Sequence, residues 1–438
     1  MTSASLFGTD GVRGVANREL TPLLAFDLAR AAAGVADGVV FIGRDTRRSG
    51  PMLTAALHAG FTSVGVDTVD LGVLPVGGVC RLTISEGAAM GVMVSASHNP
   101  AADNGVKLIG PGGNKLADAE EGAITARFAA GGPYPQPTGA GVGSITVMDD
   151  ALTRYVDQLA TEHGVPLDGM EIVLDCANGA ASVAAPELFT RLGAKVEVHA
   201  ADPDGLNIND KVGATHPDTL AQLVAGRVGF CFDGDADRLI AVDEDGVVAN
   251  GDVVLAVLAQ HLKGRGLLTG DRVVTTVMAN LGFLKAMAAM GVEVVQTKVG
   301  DRYVLEHMQR AGAVLGGEQS GHLMLEDRIS GDGLRTALRV AEVMAATGAQ
   351  LRELRTVITE FPQVMINVQV ADRNGLAEAA AVWEAVAEAE AALGDRGRVL
   401  VRASGTEPLV RVMVEAATAG DAQRVARSLV EVVSASLG

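Results

Sequence analysis

Along most of this chain, short β-branched runs alternate with Ala/Leu-rich segments of helical period, and that alternation limits the possible folds more than any other feature. It predicts α/β architecture with largely parallel sheets. Strands are expected at "GVVFIG" (38–43), "EIVLD" (171–175), "VGFCF" (228–232), "RVVTTV" (272–277) and "EVVQTK" (293–298). Helices such as "LTPLLAFDLARAAAGVA" and "DALTRYVDQLATEHG" fall between strands. A length of 438 residues exceeds one ordinary core, so two to four domains are expected. Aromatic residues are only 3%, so those cores must be built mostly from Ala, Val, Leu and Ile. The Gly/Pro run at 131–143 reads as a linker, and the turn-rich 242–252 as a second boundary.

The C-terminal part has a different rhythm. A strand at "FPQVMINVQVAD" precedes a helix at "GLAEAAAVWEAVAEAEAALG". Two strands, "GRVLVRAS" and "PLVRVMVEA", then follow a short turn apart, which predicts an antiparallel hairpin. With the closing helix "AGDAQRVARSLVEVVSASL", this makes a small α+β domain.

A formal net charge of −18 argues against a nucleic-acid or anionic-membrane partner, although local Arg and Lys can still bind a small anion. Cys80, Cys176 and Cys231 fit neither a disulfide framework nor paired metal spacing, which predicts buried thiols in a reducing cytosol. The start "MTSASLFGTDGVRG" lacks a basic, then apolar, signal peptide. The longest uncharged run, 128–148, is too rich in Gly and Pro for a membrane helix. A cytoplasmic protein is expected.

Four motifs carry chemistry. "FCFDGDADRL" (230–239) ends a strand in Asp233, Asp235 and Asp237, with Arg238 beside them. Three close carboxylates repel unless a cation sits among them, and oxygen-only ligands select Mg²⁺, Mn²⁺ or Ca²⁺. Counted from Asp233, a calcium loop would end at Glu244, but Arg238 stands where the sharp turn needs Gly and a strand replaces the entering helix, so an EF-hand is excluded. "VSASHNPAADNGVK" (94–107) presents Ser95 and Ser97 after an apolar run, either of which can act as a nucleophile. "VRASGTEPLVR" (401–411) sets Ser404, Gly405 and Thr406 in a turn between Arg402 and Arg411, a pattern suited to phosphate oxygens. "GGEQSGH" (316–322) offers Glu318 and Ser320 to vicinal hydroxyls, and His322 for proton transfer. Arg13 in "FGTDGVRG" and Arg44 in "GRDTRRSG" are further candidates beside a phosphate. A serine with a divalent cation points to phosphoryl transfer, with Lys107, Arg13 and Arg238 balancing charge.

In order and spacing, "SASHNP", "DGDADR", "GEQSGH" and "RASGTEPLVR", with "FGTDGVRG" and "VGDRYV", resemble the α-D-phosphohexomutase superfamily over nearly the whole chain. The resemblance implies three related α/β/α domains and a smaller C-terminal α+β domain around a central cleft. Their expected bounds are 1–147 with the phosphoserine loop, 148–247 with the metal loop, 248–358 with the sugar loop, and 359–438 with the phosphate clamp. It implies that Ser97, rather than Ser95, carries the phosphoryl group, with His98 shaping its loop. One Mg²⁺ would be held by Asp233, Asp235, Asp237 and the Ser97 phosphate. Glu318 and Ser320 would contact the sugar, with His98 and Arg238 also at the substrate. Arg402, Ser404, Gly405, Thr406 and Arg411 would clamp the phosphate that is not reacting. Arg13, Lys107 and His322 match acid/base or phosphate-neighbour positions. The implied activity exchanges hexose 6- and 1-phosphates through a sugar 1,6-bisphosphate, which also serves as activator. Gln319 favours glucosamine, feeding UDP-N-acetylglucosamine and cell-wall precursors, with mannose or glucose phosphates the alternative; the enzyme would be a monomer or homodimer. "GVLPVGG" (72–78) departs from the Pro-Thr-Pro-like stretch of relatives, so a local structural difference is expected.

Overall fold

The computed structural model describes residues 6–8, 10–162, 164–327, 329–404 and 408–438. The chain divides into two compact units, the first 1–278 with 293–357 and the second 279–292 with 358–438.

Among the described residues, the first unit holds three mixed sheets. In the six-stranded sheet the order is Val12–Val15, Asp103–Ile109, Met90–Val94, Val40–Arg44, Thr68–Val73 and Ile145–Val147. The central pairings from Met90–Val94 through Ile145–Val147 are parallel, while Asp103–Ile109 runs antiparallel to both neighbours. Strand Met90–Val94 is buried throughout, as an interior strand covered on both faces must be. Its Cα register sets Met93 against Lys107.

The second sheet has five strands in the order Val248–Ala249, Leu239–Val242, Val228–Phe232, Glu171–Asp175 and Lys195–His199. Val228–Phe232 is likewise wholly buried and delivers the chain directly into the three aspartates. The turn-rich 242–252, read from sequence as a boundary, contains the short antiparallel return Val248–Ala249 and the start of helix Gly251–Gly264, with Asn250 as its N-cap. The third sheet joins Glu293–Thr297, Arg272–Thr276, Gly316–Gly317 and Leu323–Met324. The last two are antiparallel, so "GEQSGH" is the loop of a glycine-started hairpin.

The sequence-expected strands at 38–43, 171–175, 228–232, 272–277 and 293–298 all form, within a residue or two. "GVLPVGG" leads into helix Val76–Ser85, capped by Pro75. Its Gly77 lies so close to Asp332 that a Cβ there would meet the carboxylate carbon at 2.4 Å.

The second unit contains an antiparallel sheet in the order Gln363–Gln369, Leu409–Ala416 and Gly397–Ala403, with helices Ala380–Leu393 and Ala419–Leu437. A valine-rich core lies between them. Segment 279–292 joins this unit through the buried Glu415, whose Oε2 accepts from the Leu281 backbone N–H at 2.8 Å.

Candidate active site

Ser97 follows the buried strand Met90–Val94 and is itself only 1% exposed. Its φ of 52° lies in the left-handed region, which a non-glycine residue occupies at a cost. The loop is held there by a fully buried guanidinium. Arg47 Nη2 donates to the carbonyls of Ser97 at 2.9 Å and Asn99 at 2.8 Å, and Nη1 to those of Asp103 at 3.0 Å and Pro100. Asp45 pairs with Arg47 Nε at 2.8 Å and accepts the Ser95 hydroxyl at 2.6 Å. Ser95 Oγ in turn accepts the Ser97 N–H at 2.9 Å. The two serines thus differ in kind: Ser95 is spent on backbone support, while Ser97 Oγ donates to Asp233 Oδ2 at 2.6 Å.

Asp233, Asp235 and Asp237 are buried, and one oxygen from each lies within 4.8 Å of the others. Ala236 between them is left-handed (φ 58°), which bends the loop so that alternate carboxylates converge. Gly234 is required for the approach to the serine loop, since a Cβ would stand 2.5 Å from the Ser97 carbonyl oxygen. Oδ1 of Asp235 and of Asp237 is buried with no hydrogen-bond partner among the described residues. Orphaned carboxylate oxygens are costly without a cation, so this donor set fits a hard divalent ion. Burial, then Asp237 and Asp235, push the Asp233 carboxyl up to about 8. Glu244 takes no part: it accepts the backbone N–H groups of Leu351 and Arg352, in keeping with the rejection of an EF-hand.

Lys107 Nζ reaches Asp235 at 2.8 Å, Asp237 at 3.2 Å and Asp10 at 3.3 Å. Burial opposes its charge, but Asp235 and Asp237 outweigh burial and raise its pKa, keeping the ammonium charged. Arg13 pairs with Asp10. His322 is wedged between carboxylates, Nδ1 at 3.6 Å from Asp237 and Nε2 at 3.6 Å from Asp301. Burial works against protonation there too, yet Asp237 and Asp301 raise its pKa. His98 behaves oppositely: burial, then Arg238 and Arg13, lower it to about 4, so a neutral ring faces Ser97 Oγ at 3.2 Å.

These groups open onto a cleft of about 210 Å³ whose lining includes Arg13, His98, Asp237, Arg238, Glu318 and His322. Arg44 and Ser320 are not among its lining residues, although Ser320 Oγ is buried without a hydrogen-bond partner among the described residues. Asp10, Lys115 and Asp301, which sequence reasoning did not single out, line it as well, with Lys115 bridging Asp10 and Asp301 at 2.7 Å each.

In the second unit, Arg402 and Arg411 are direct cross-strand partners. Burial, and then Arg411, lower the Arg402 pKa. Ser404 is buried and its N–H donates to the Leu409 carbonyl at 2.9 Å. Gly405 and Thr406 lie outside the described residues.

Residues 4–134, 153–246 and 250–361 match α/β/α domains I, II and III of phosphoglucomutase/phosphomannomutase, and 365–432 match its C-terminal domain. The chain belongs to the phosphoglucomutase/phosphomannomutase family. Its fold is therefore the three α/β/α domains and C-terminal domain expected from sequence, and it is an enzyme of the isomerase and phosphotransferase kind. A phosphoglucosamine mutase from Saccharopolyspora erythraea is 51% identical over 441 residues, covering 98% of this chain and 99% of that one. One from Mycolicibacterium paratuberculosis is 51% identical over 442 residues, with the same coverage of both chains. Among solved structures, a phosphoglucomutase/phosphomannomutase family protein from Burkholderia thailandensis superposes with a TM-score of 0.81 at 25% identity, covering 100% of this chain and 98% of that one. No helix among the described residues is long and apolar enough to cross a membrane.

Proposed function

We propose that the protein interconverts glucosamine 6-phosphate and glucosamine 1-phosphate through a phosphorylated Ser97 and a glucosamine 1,6-bisphosphate. The observation that carries this reading is the contact between Ser97 Oγ and the buried aspartate trio. A serine aimed at a cation site, on a strained and heavily braced loop, is poised for phosphoryl exchange. The amino-sugar assignment is supported by the 51%-identical phosphoglucosamine mutases.

Asp233, Asp235 and Asp237 would hold Mg²⁺, with an oxygen of the Ser97 phosphate as a further ligand. When bound, the ion neutralises charge building on the transferring phosphoryl group. In the forward half-reaction the P–Oγ bond of phospho-Ser97 breaks as a bond forms between phosphorus and sugar O1. The proton of the O1 hydroxyl leaves, and Ser97 Oγ regains one. The second half-reaction reverses these steps at O6, returning the phosphoryl group to Ser97 and releasing the 1-phosphate. Lys107, held charged by Asp235 and Asp237, and Arg13, paired with Asp10, act as electrostatic anchors. His322 is the group that exchanges protons, because Asp237 and Asp301 flank its ring and favour the protonated imidazolium that can hand a proton over. Glu318 and Ser320 take the sugar hydroxyls, and Arg238 and His98 stand at the reacting phosphate. Arg402, Ser404, Gly405, Thr406 and Arg411 hold the other phosphate. Domain bounds of 1–147, 148–247, 248–358 and 359–438 divide these duties. Three buried unpaired cysteines suit a reducing cytoplasm.

The test is turnover of purified protein with Mg²⁺ and a trace of sugar bisphosphate on glucosamine, glucose and mannose 6-phosphates in parallel. Preference for glucosamine 6-phosphate, abolished in Ser97→Ala, is expected. Preference for another hexose would keep the mechanism and change the substrate. Release of inorganic phosphate without 1-phosphate would mean a hydrolase.

A further inference from the structure

Two backbone carbonyls of the metal loop are held by helix N-termini from elsewhere in the first unit. The Asp235 carbonyl accepts the N–H of Val76, first residue of helix Val76–Ser85, at 3.0 Å. The Ala236 carbonyl accepts the N–H of Gly333, first residue of helix Gly333–Thr347, at 2.9 Å. Both helices direct the positive ends of their dipoles at a loop of three carboxylates. The loop's shape therefore depends on how these helices are fixed to each other.

One buried carboxylate fixes them. Asp332 is the N-cap of the second helix, its Oδ1 accepting the Arg335 N–H at 3.0 Å. The same oxygen accepts the Tyr155 hydroxyl at 2.9 Å, and Oδ2 lies 3.3 Å from Nε of Arg81 on the first helix. Arg81 is only 6% exposed, and its two remaining nitrogens reach Glu162 and Asp327 at 2.6 and 2.7 Å. Removing one member of such a buried ionic network leaves charge unpaired and lets its neighbours shift. Gly77 confirms the tightness of the junction, since there is no room for a Cβ beside Asp332.

We infer that Asp332, with Arg81 and Tyr155, is a positioning residue for the metal: it sets the spacing of the helices that hold the Asp235 and Ala236 carbonyls, and so the convergence of the trio. This rests on the metal reading above. None of the three touches the proposed cation, so each acts through backbone geometry.

The probe is Mn²⁺ binding to the full-length, chelator-treated protein, read from the electron paramagnetic resonance signal of free Mn²⁺ well below the melting temperature. Tyr155→Phe and Asp332→Asn should each weaken Mn²⁺ binding, by about tenfold, the low end for outer-shell partners. Wild-type Mn²⁺ affinity in folded variants, even with a lower Tm, would reduce the network to structural cement and overturn the inference. Should Asp332→Asn not fold, Tyr155→Phe decides alone, because it removes one hydroxyl and keeps the ring. Asp235→Ala separates the two readings: undiminished Mn²⁺ binding there would sink the metal assignment itself, whereas its loss alongside wild-type binding in Tyr155→Phe would sink only the positioning role.

Discussion

Ser97 is kept in a left-handed conformation by groups that lie far from it in sequence: Arg47, through four carbonyls of the loop, and Asn209, whose Nδ2 donates to the Ser97 and Asn99 carbonyls at 2.9 and 3.1 Å. A lysine at position 47 would keep the charge but could not fork onto those carbonyls. Arg47→Lys should lower kcat by about 10²-fold, the cost of misplacing a reacting group by an ångström, with KM changed far less. Steady-state kinetics on protein of native circular dichroism checks this, and an unchanged kcat would show the loop to be self-supporting. The aspartates were legible in sequence because three carboxylates at alternate positions are uncommon, whereas Ser97 was set apart from Ser95 only by the resemblance to the phosphohexomutases. Arg47 was not legible, because its partners are carbonyls, which every residue carries; only the buried pairing of Asp45 with Arg47 reveals its role.

Among the elements, the C-terminal hairpin sets two like charges side by side at the proposed phosphate clamp. Like charges placed directly opposite on a sheet are destabilising, and Arg402 faces Arg411 in register. Two guanidinium forks side by side would suit the oxygens of the phosphate proposed to bind there. Arg402→Met, which keeps most of the aliphatic stem, should leave the phosphate-free Tm unchanged or slightly raised. It should raise the KM for hexose phosphate by about 10- to 100-fold, the equivalent of one charge-assisted hydrogen bond. Parallel melting curves and initial rates give both readings, and an unaltered KM would remove the hairpin from substrate binding. The hairpin was readable because two valine-rich runs stand only a short turn apart. The two-residue strands Gly316–Gly317 and Leu323–Met324 were not, because glycine gives no alternation and two residues cannot show a period. "GEQSGH" therefore looked like an isolated loop rather than the loop of a hairpin.

At the scale of the whole molecule, a protein of net charge −18 must gather cations wherever it binds a dianion. Arg13, Lys115 and Arg238 line the cleft and Lys107 lies buried against Asp235 and Asp237, yet the carboxyl groups of Asp10, Asp233, Asp235, Asp237, Asp301 and Glu318 outnumber these basic side chains. A divalent ion would redress that balance and tie together loops that grow from different sheets of the first unit. Metal should therefore stabilise the fold, and do so with a definite pH dependence. Without metal, the Asp233 carboxyl is pushed up to about 8 by burial and by its two neighbours. Below that pH it tends to hold a proton, which an incoming cation must displace; above it the carboxylate is already ionised. Mg²⁺ affinity should accordingly rise with pH and level off above about 8. Because a ligand raises stability by RT ln(1 + [L]/Kd), the Mg²⁺-induced increase in Tm should be larger at pH 8.5 than at pH 6 at one fixed Mg²⁺ concentration. Differential scanning calorimetry with Mg²⁺ and with chelator at both pH values measures it. Asp233→Asn removes the titrating group, so whatever Mg²⁺ stabilisation it retains should lose this pH dependence. An increment that is flat or falls with pH in the wild-type protein would mean that Asp233 is ionised before the metal arrives, and that Lys107 and Arg238 already neutralise the trio.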